Sequence, residues 1–180
     1  MLDLIIKNGK CYIDGELKEV DVAIKDKKIQ QIGQVSEEAK ETIDASGHTV
    51  LPGCIDTQTH FREPGSTDTE DLHSGSRAAI AGGITSVFEM PNTNPPTSNK
   101  KEFQRKLDLA KNRMYCNYAF YFGATADNAD DLASLKDLEG CCGIKLFAGS
   151  STGNLLVAEE GGIDKVFQNA SKVVAVHSED

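Results

Sequence analysis

The sequence predicts an α/β fold: a small all-β module over residues 1–50, then a parallel sheet interleaved with helices over residues 51–180. Two observations carry this reading. As far as Val50 the apolar residues alternate in short runs split by turn signals. From Leu51 onward, apolar strand-like runs recur about every 30 residues with helical stretches between them, the length of one βα step.

In the first region the runs are "DLIIKNG", "KCYI", "VDVAIKD", "KIQQIG" and "ETIDASG". Asn8-Gly9, Asp14-Gly15 and Asp26-Lys27 punctuate them as turns, and Val22, Ile24 and Ile29 mark the expected apolar face. In the second region the strand candidates are "VLPGCIDT", "ITSVFEM", "MYCNYAFYFG", "CCGIKLF" and "KVVAVH". Between them, "STDTEDLHSGSRAAIAGG" reads as a helix opened by a Thr67–Glu70 capping box and closed by Gly82-Gly83. "SNKKEFQRKLDLAKN" reads as a second, capped by Ser98, with Phe103, Leu107 and Ala110 facing inward. "NADDLASLKDL" repeats the scheme with Leu132, Leu135 and Leu138, and "AEEGGIDKVFQNASK" is a fourth helix. Near-continuous apolar strands alternating with helices imply a parallel sheet covered on both faces.

Composition narrows the function classes. The net charge of −9 and the lack of a basic run argue against nucleic acid or an anionic membrane as partner. No apolar run reaches the roughly 18 residues of a membrane span, and "MLDLIIKNGK" is too short and polar for a signal peptide. The five cysteines form no CxxC pair, which reads as buried thiols in a reducing cytoplasm. No GxGxxG or P-loop occurs, so nucleotide binding is disfavoured.

Residues with chemical potential gather where the predicted strands end. His60 and Arg62 follow the first, Asn92 follows the second, Lys145 interrupts the fourth and His177 ends the fifth. Both a (β/α)8 barrel and an open flavodoxin-like sheet place their sites at strand C-termini, so position alone leaves the topology open. In "IDTQTHFREPG", Gln58 and His60 stand two apart, a spacing that points both side chains the same way along a strand. Lys145 is the most telling, because burial within an apolar run disfavours its charged form. Plainer readings stand beside these. Arg62 with Glu63 reads equally as a surface ion pair and Asn92 as an Asx-turn, while His48, His73 and Cys141-Cys142 read as structural.

Taken together, "LPGCIDTQTHFREPGSTDTEDLHSGSRAAIAGGITSVFEMPNTNPPTSN", "GIKLFAGSSTG" and "VVAVHSED" resemble the cyclic amidohydrolases, and within them the dihydroorotases. The resemblance implies a (β/α)8 TIM-type barrel, of which residues 51–180 form about the first half, and a small N-terminal β-sandwich module completed by C-terminal strands. It also implies a zinc centre of one or two ions, with His60 as the second histidine of an HxH motif, Lys145 as a carboxylated bridge and His177 as a later ligand. Arg62, with Asn92, would bind a substrate carboxylate, a task for which the guanidinium fork is suited. Hydantoinase- and allantoinase-like sequences generally lack that arginine. The implied reaction is reversible closure of N-carbamoyl-L-aspartate to L-dihydroorotate in pyrimidine synthesis. A cytoplasmic homo-oligomer acting on this small molecule is expected.

Two departures bear on that expectation. Gln58 stands where the family usually has histidine, and an amide carbonyl binds zinc-like ions less well than imidazole. The position is therefore a weak or lost ligand, although Arg62, Asn92 and Lys145 argue for an active enzyme. A whole barrel takes about 250 residues, so this chain reads as the N-terminal part of a longer protein, with the general acid/base aspartate beyond residue 180. Two alternatives remain: a silent homologue supporting aspartate transcarbamoylase, and another cyclic amidohydrolase of hydantoinase or allantoinase type.

Overall fold

The computed structural model describes residues 1–151 and 154–179. The "GIKLFAGSSTG" block therefore includes two residues outside the described set, Thr152 and Gly153, and "HSED" includes one, Asp180. The chain divides into two compact units, Met1–Pro52 and Gly53–Asp180.

The first unit is all β. One sheet contains β1 (Leu2–Lys7), β4 (Asp21–Lys25), β5 (Lys28–Gly33) and β6 (Ala39–Asp44) in the order β5-β4-β1-β6. The other contains β2 (Lys10–Ile13), β3 (Glu16–Glu19) and β7 (Thr49–Val50) in the order β3-β2-β7. Asp14-Gly15 and Asp26-Lys27 turn their hairpins with all four residues at positive φ, as tight two-residue turns require. Asn8, also at positive φ, carries the chain from one sheet to the other and closes no hairpin. The core is Leu2, Ile5, Ala23 and Val35. The expected apolar face is only partly right: Val22 is buried and Ile24 half-buried, but Ile29 is 63% exposed. The reason is positional. β5 is an edge strand, and a bulge between Ala23 and Ile24 shifts the register that would have aligned Ile29 with the buried face.

The second unit holds five parallel strands: β8 (Cys54–Thr59), β9 (Ile84–Glu89), β10 (Asn117–Gly123), β11 (Cys141–Phe147) and β12 (Val174–His177). Their order in the sheet is β12-β11-β10-β9-β8, so each strand pairs with its neighbour in sequence. That order settles what strand-end position left open. A doubly wound sheet reverses direction at a switch point, whereas this one winds steadily, as half of a (β/α)8 barrel does.

Helices α1 (Leu72–Ala81), α2 (Lys100–Ala110) and α3 (Glu160–Asn169) separate the strands, with a 3-10 helix over Ala129–Leu135 where a full helix was expected. Leu132 and Leu135 are buried there and Leu138 packs against the same core. Phe103, Ala110, Phe120, Phe122, Ile144 and Leu146 form the centre of that core. The expectation of a sheet covered throughout holds for β10 and β11 but not for the outer strands, where Ile55 and Val176 are exposed because each outer strand has one neighbour only.

Two helix starts differ from expectation. Helix α1 is capped by Asp71, whose carboxylate accepts from Ser74 N at 2.6 Å while Ser74 Oγ accepts from Asp71 N at 3.1 Å. Thr67–Glu70 stays in the loop, because the buried Glu63 carboxylate receives Leu72 N and fixes the helix start further on. Helix α2 is capped by Asn99, not Ser98, with Asn99 Oδ1 accepting from Glu102 N. Among the described residues no helix is long and apolar enough to cross a membrane.

Candidate active site

The site builds from β8 outward. After Thr59 the strand gives way to a loop whose first turn is set by Phe61 and Arg62. Phe61 is buried, and its ring lies so close to Gly75 of α1 that any Cβ there would collide with it. Arg62 sits at φ 60°, a left-handed conformation rare for a long side chain. Glu63 is buried and accepts two hydrogen bonds from Arg113, at 2.8 and 3.1 Å. The expected Arg62–Glu63 surface pair is thus absent: Glu63 turns inward to a different arginine, and no carboxylate among the described residues pairs with Arg62. Gly65, at φ 123°, lets this loop approach the one after β9, where Asn94 N donates to Pro64 O at 2.9 Å.

At the C-terminal ends of the strands Gln58, His60, Arg62, Asn92, Lys145 and His177 line one cavity of about 350 Å³, together with Met90, Phe147, Ser150 and Ser151. Arg62 and Asn92 also line an adjoining cavity of about 450 Å³ with Pro64, Ser66, Thr93, Asn94 and Pro96. All six residues singled out from the sequence therefore meet in one place. Gln58, near the end of β8, and His60, just past it, both line the cavity, as their spacing led one to expect. His48 and His73 do not join them. His48 is exposed and bonds Ser46 O, and the ring of His73 meets Tyr115 edge-on at 5.2 Å.

Burial holds the His60 imidazole below its usual pKa, helped by the Arg62 charge and opposed by hydrogen bonding of the ring to the Asn92 side chain, which accepts. Lys145 is 3% exposed, its amine 5.0 Å from the Phe147 ring centre, and burial alone pulls its pKa down. The ring of His177 lies 5.8 Å from that of Phe147, and its Nε2 is 3.4 Å from a Glu179 carboxylate oxygen.

Sequence reasoning missed what lies beneath this layer. Glu89 ends β9 at 1% exposure, and Lys106 of α2 is completely buried with its Nζ 3.6 Å from Glu89 Oε1. Burial pushes the Glu89 carboxyl up and brings Lys106 down to about 8, the pairing opposing both shifts. The signal for Glu89 was available, since it interrupts "ITSVFEM" as Lys145 interrupts "CCGIKLF".

Residues 49–176 match the family model described as the Amidohydrolase family. The chain belongs to the amidohydrolase family. Over 170 residues it is 39% identical to an allantoinase of Escherichia coli O1:K1 / APEC, a match covering 94% of this chain and 36% of that protein. Among solved structures it is similar to the L-hydantoinase (dihydropyrimidinase) from Arthrobacter aurescens, with 30% identity and a TM-score of 0.91 over 100% of this chain and 41% of that one. A D-hydantoinase (dihydropyrimidinase) from Thermus sp. gives 26% identity and a TM-score of 0.81 over 98% of this chain and 40% of that one. The chain thus spans about two fifths of these relatives or less. They belong to the allantoinase and hydantoinase side of the amidohydrolases, the side the argument from Arg62 had set apart from dihydroorotases.

Among the described residues no three His, Cys, Asp or Glu side chains form a cluster. The cavity brings together two imidazoles (His60, His177), the Lys145 amine and the Gln58 amide carbonyl, beside the Asn92 amide and the hydroxyls of Ser150 and Ser151. Neutral imidazoles suit zinc, and a lysine amine joins such a set once it carries a carboxylate. The donor chemistry fits a divalent ion, with glutamine its weakest member.

Proposed function

We propose that the protein hydrolyses, or in reverse closes, the C–N bond of a cyclic amide, using a zinc-like ion held by His60, His177 and Lys145 with Gln58 as a weak donor. The observation that carries this is the meeting of these side chains with Arg62 and Asn92 in one cavity at the strand ends. A bound ion supplies Lewis-acid polarisation of a carbonyl. The chain's own residues supply the rest. Burial disfavours the charged form of the Lys145 amine, and the neutral amine can add carbon dioxide: an N–C bond forms, one proton leaves, and an anionic carbamate results. Asn92 holds the His60 ring in one orientation, as partners of ligating histidines do.

The likeness to allantoinase and hydantoinases supports a ring of the allantoin or hydantoin type as substrate. A second reading, dihydroorotate, rests on Arg62, whose guanidinium faces the cavity without a carboxylate partner among the described residues. Turnover of allantoin, hydantoin and L-dihydroorotate by the full-length protein, with elemental analysis of bound metal, separates these readings. Metal with turnover of either ureide supports the first reading, and metal with turnover of dihydroorotate alone supports the second. A protein with neither metal nor turnover, co-purifying with aspartate transcarbamoylase, would be a silent homologue. A carbonyl signal from a lysine carbamate after equilibration with 13C-bicarbonate tests the role of Lys145.

A further inference from the structure

We propose that Glu89 is a positioning residue for the segment His60–Arg62, and that Lys106 holds the Glu89 carboxylate in place from behind the sheet. This rests on the role given above to His60. Glu89 Oε1 and Oε2 accept from Phe61 N at 3.0 and 3.1 Å, and Oε2 also accepts from Thr59 Oγ1 at 2.9 Å. These bonds fall on the residues immediately before and after His60. The imidazole therefore projects from backbone anchored on both sides by one carboxylate of the neighbouring strand. On the other side of that carboxylate, Lys106 Nζ donates to Met90 O at 2.8 Å and faces Oε1. Met90 itself lines the cavity and begins the loop that carries Asn92. One ammonium thus braces the end of β9, and the carboxylate beside it braces the end of β8.

A packing role alone does not explain the choice of residues. A buried ion pair is weak evidence for stability, because apolar side chains of similar volume often serve as well or better. What an apolar pair cannot do is accept the Phe61 N–H and the Thr59 hydroxyl. The pair also lies at the end of the sheet where the cavity lies, not elsewhere in the core.

The test uses the full-length protein and the double variant Glu89→Met/Lys106→Met, which removes both charges, leaves no buried ion unpaired and takes away the acceptor for Phe61 N and Thr59 Oγ1. Zinc affinity is measured by chelator competition, kcat and KM are measured separately, thermal unfolding is followed, and the crystal structure is determined. The expected result is cooperative unfolding at a modestly lower temperature, zinc affinity and kcat lowered about 10–100-fold as for other groups behind a ligand, KM changed far less, and a His60–Arg62 segment displaced or disordered. Glu89→Gln/Lys106→Met, which keeps a carbonyl acceptor at residue 89, should recover most of the zinc affinity. Wild-type zinc affinity and kcat, with His60 and Arg62 unmoved, would overturn the proposal and leave Glu89 a core residue. If the wild type itself holds no metal and turns nothing over, the proposed function fails. The positioning role is then decided by the segment alone: displaced in the variant, it stands; unmoved, it falls.

Discussion

The two units differ in whether they enclose an ion pair. In Met1–Pro52 the shortest ion pair, Lys40 to Asp3 at 2.6 Å, lies on an exposed sheet surface. In Gly53–Asp180 the pair Lys106–Glu89, at 3.6 Å, is wholly enclosed. Distance alone would rank the first above the second, yet solvent reverses the order. Water screens an exposed pair to little net worth, while enclosure makes each partner depend on the other. The ion pairs of the first unit lie at its surface; the second unit has surface pairs too, such as Lys165–Asp130 at 2.6 Å, but it also encloses a pair at the strand ends that form the cavity.

Breaking one partner on each side should expose the contrast. Lys106→Met alone strands the Glu89 carboxylate and is expected to cost roughly 3–5 kcal/mol of stability, whereas Lys40→Met should leave the urea midpoint of the full-length protein nearly unchanged. Similar midpoints for both variants would abolish the distinction. Arg62→Ala sharpens it from the ligand side. If the substrate carries a carboxylate, kcat/KM should fall by a factor equivalent to about 2–4 kcal/mol with metal content unchanged. Against allantoin or hydantoin, which carry none, the loss should be much smaller. Gln58→His should raise zinc per full-length chain from near one toward two, since imidazole is the better ligand; two zinc ions already present in the wild type would show glutamine to be an adequate donor.

The smallest effect concerns Asp71, whose carboxyl is held below its ordinary value chiefly by Ser74 N at the start of α1. A group with a depressed folded pKa contributes stability above its unfolded value and loses it as pH falls through the folded one. Asp71→Ala should therefore cost about 1 kcal/mol near neutrality and progressively less below the unfolded carboxylate value near 3.8. Thermal unfolding at a series of pH values measures this, and a cost independent of pH would remove the charge from the cap.

Much of this was legible in the sequence because the fold repeats a local unit. Strand, helix and strand are each written in contiguous residues, and the polar residues that end the strands fall where a parallel sheet opens its site. What was not legible depended on partners distant in sequence. Lys106 sits among Lys100, Lys101, Arg105 and Lys111 and reads as one more solvated cation, until α2 turns it, with Phe103 and Ala110, toward the sheet. Glu63 looks like the partner of its neighbour Arg62, and only the fold brings Arg113 within reach. Helix starts moved for the same reason: Leu72 N is claimed by Glu63, which no local capping pattern encodes. Substrate choice is equally illegible locally, since one arginine points to a carboxylate while the relatives point to uncharged rings.

The left-handed backbone of Arg62 sets a trade-off. Glycine would adopt φ 60° without the roughly 1 kcal/mol penalty that an L side chain meets there, so Arg62→Gly should hold its own or gain in heat resistance while surrendering the guanidinium. A library of variants screened for survival on heating would enrich glycine at this position and discard the chemistry. One screened for turnover of a carboxylate-bearing ring would keep arginine and tolerate the strain. The identity of residue 62 after each screen would therefore report which pressure, endurance or recognition, holds the arginine in that conformation.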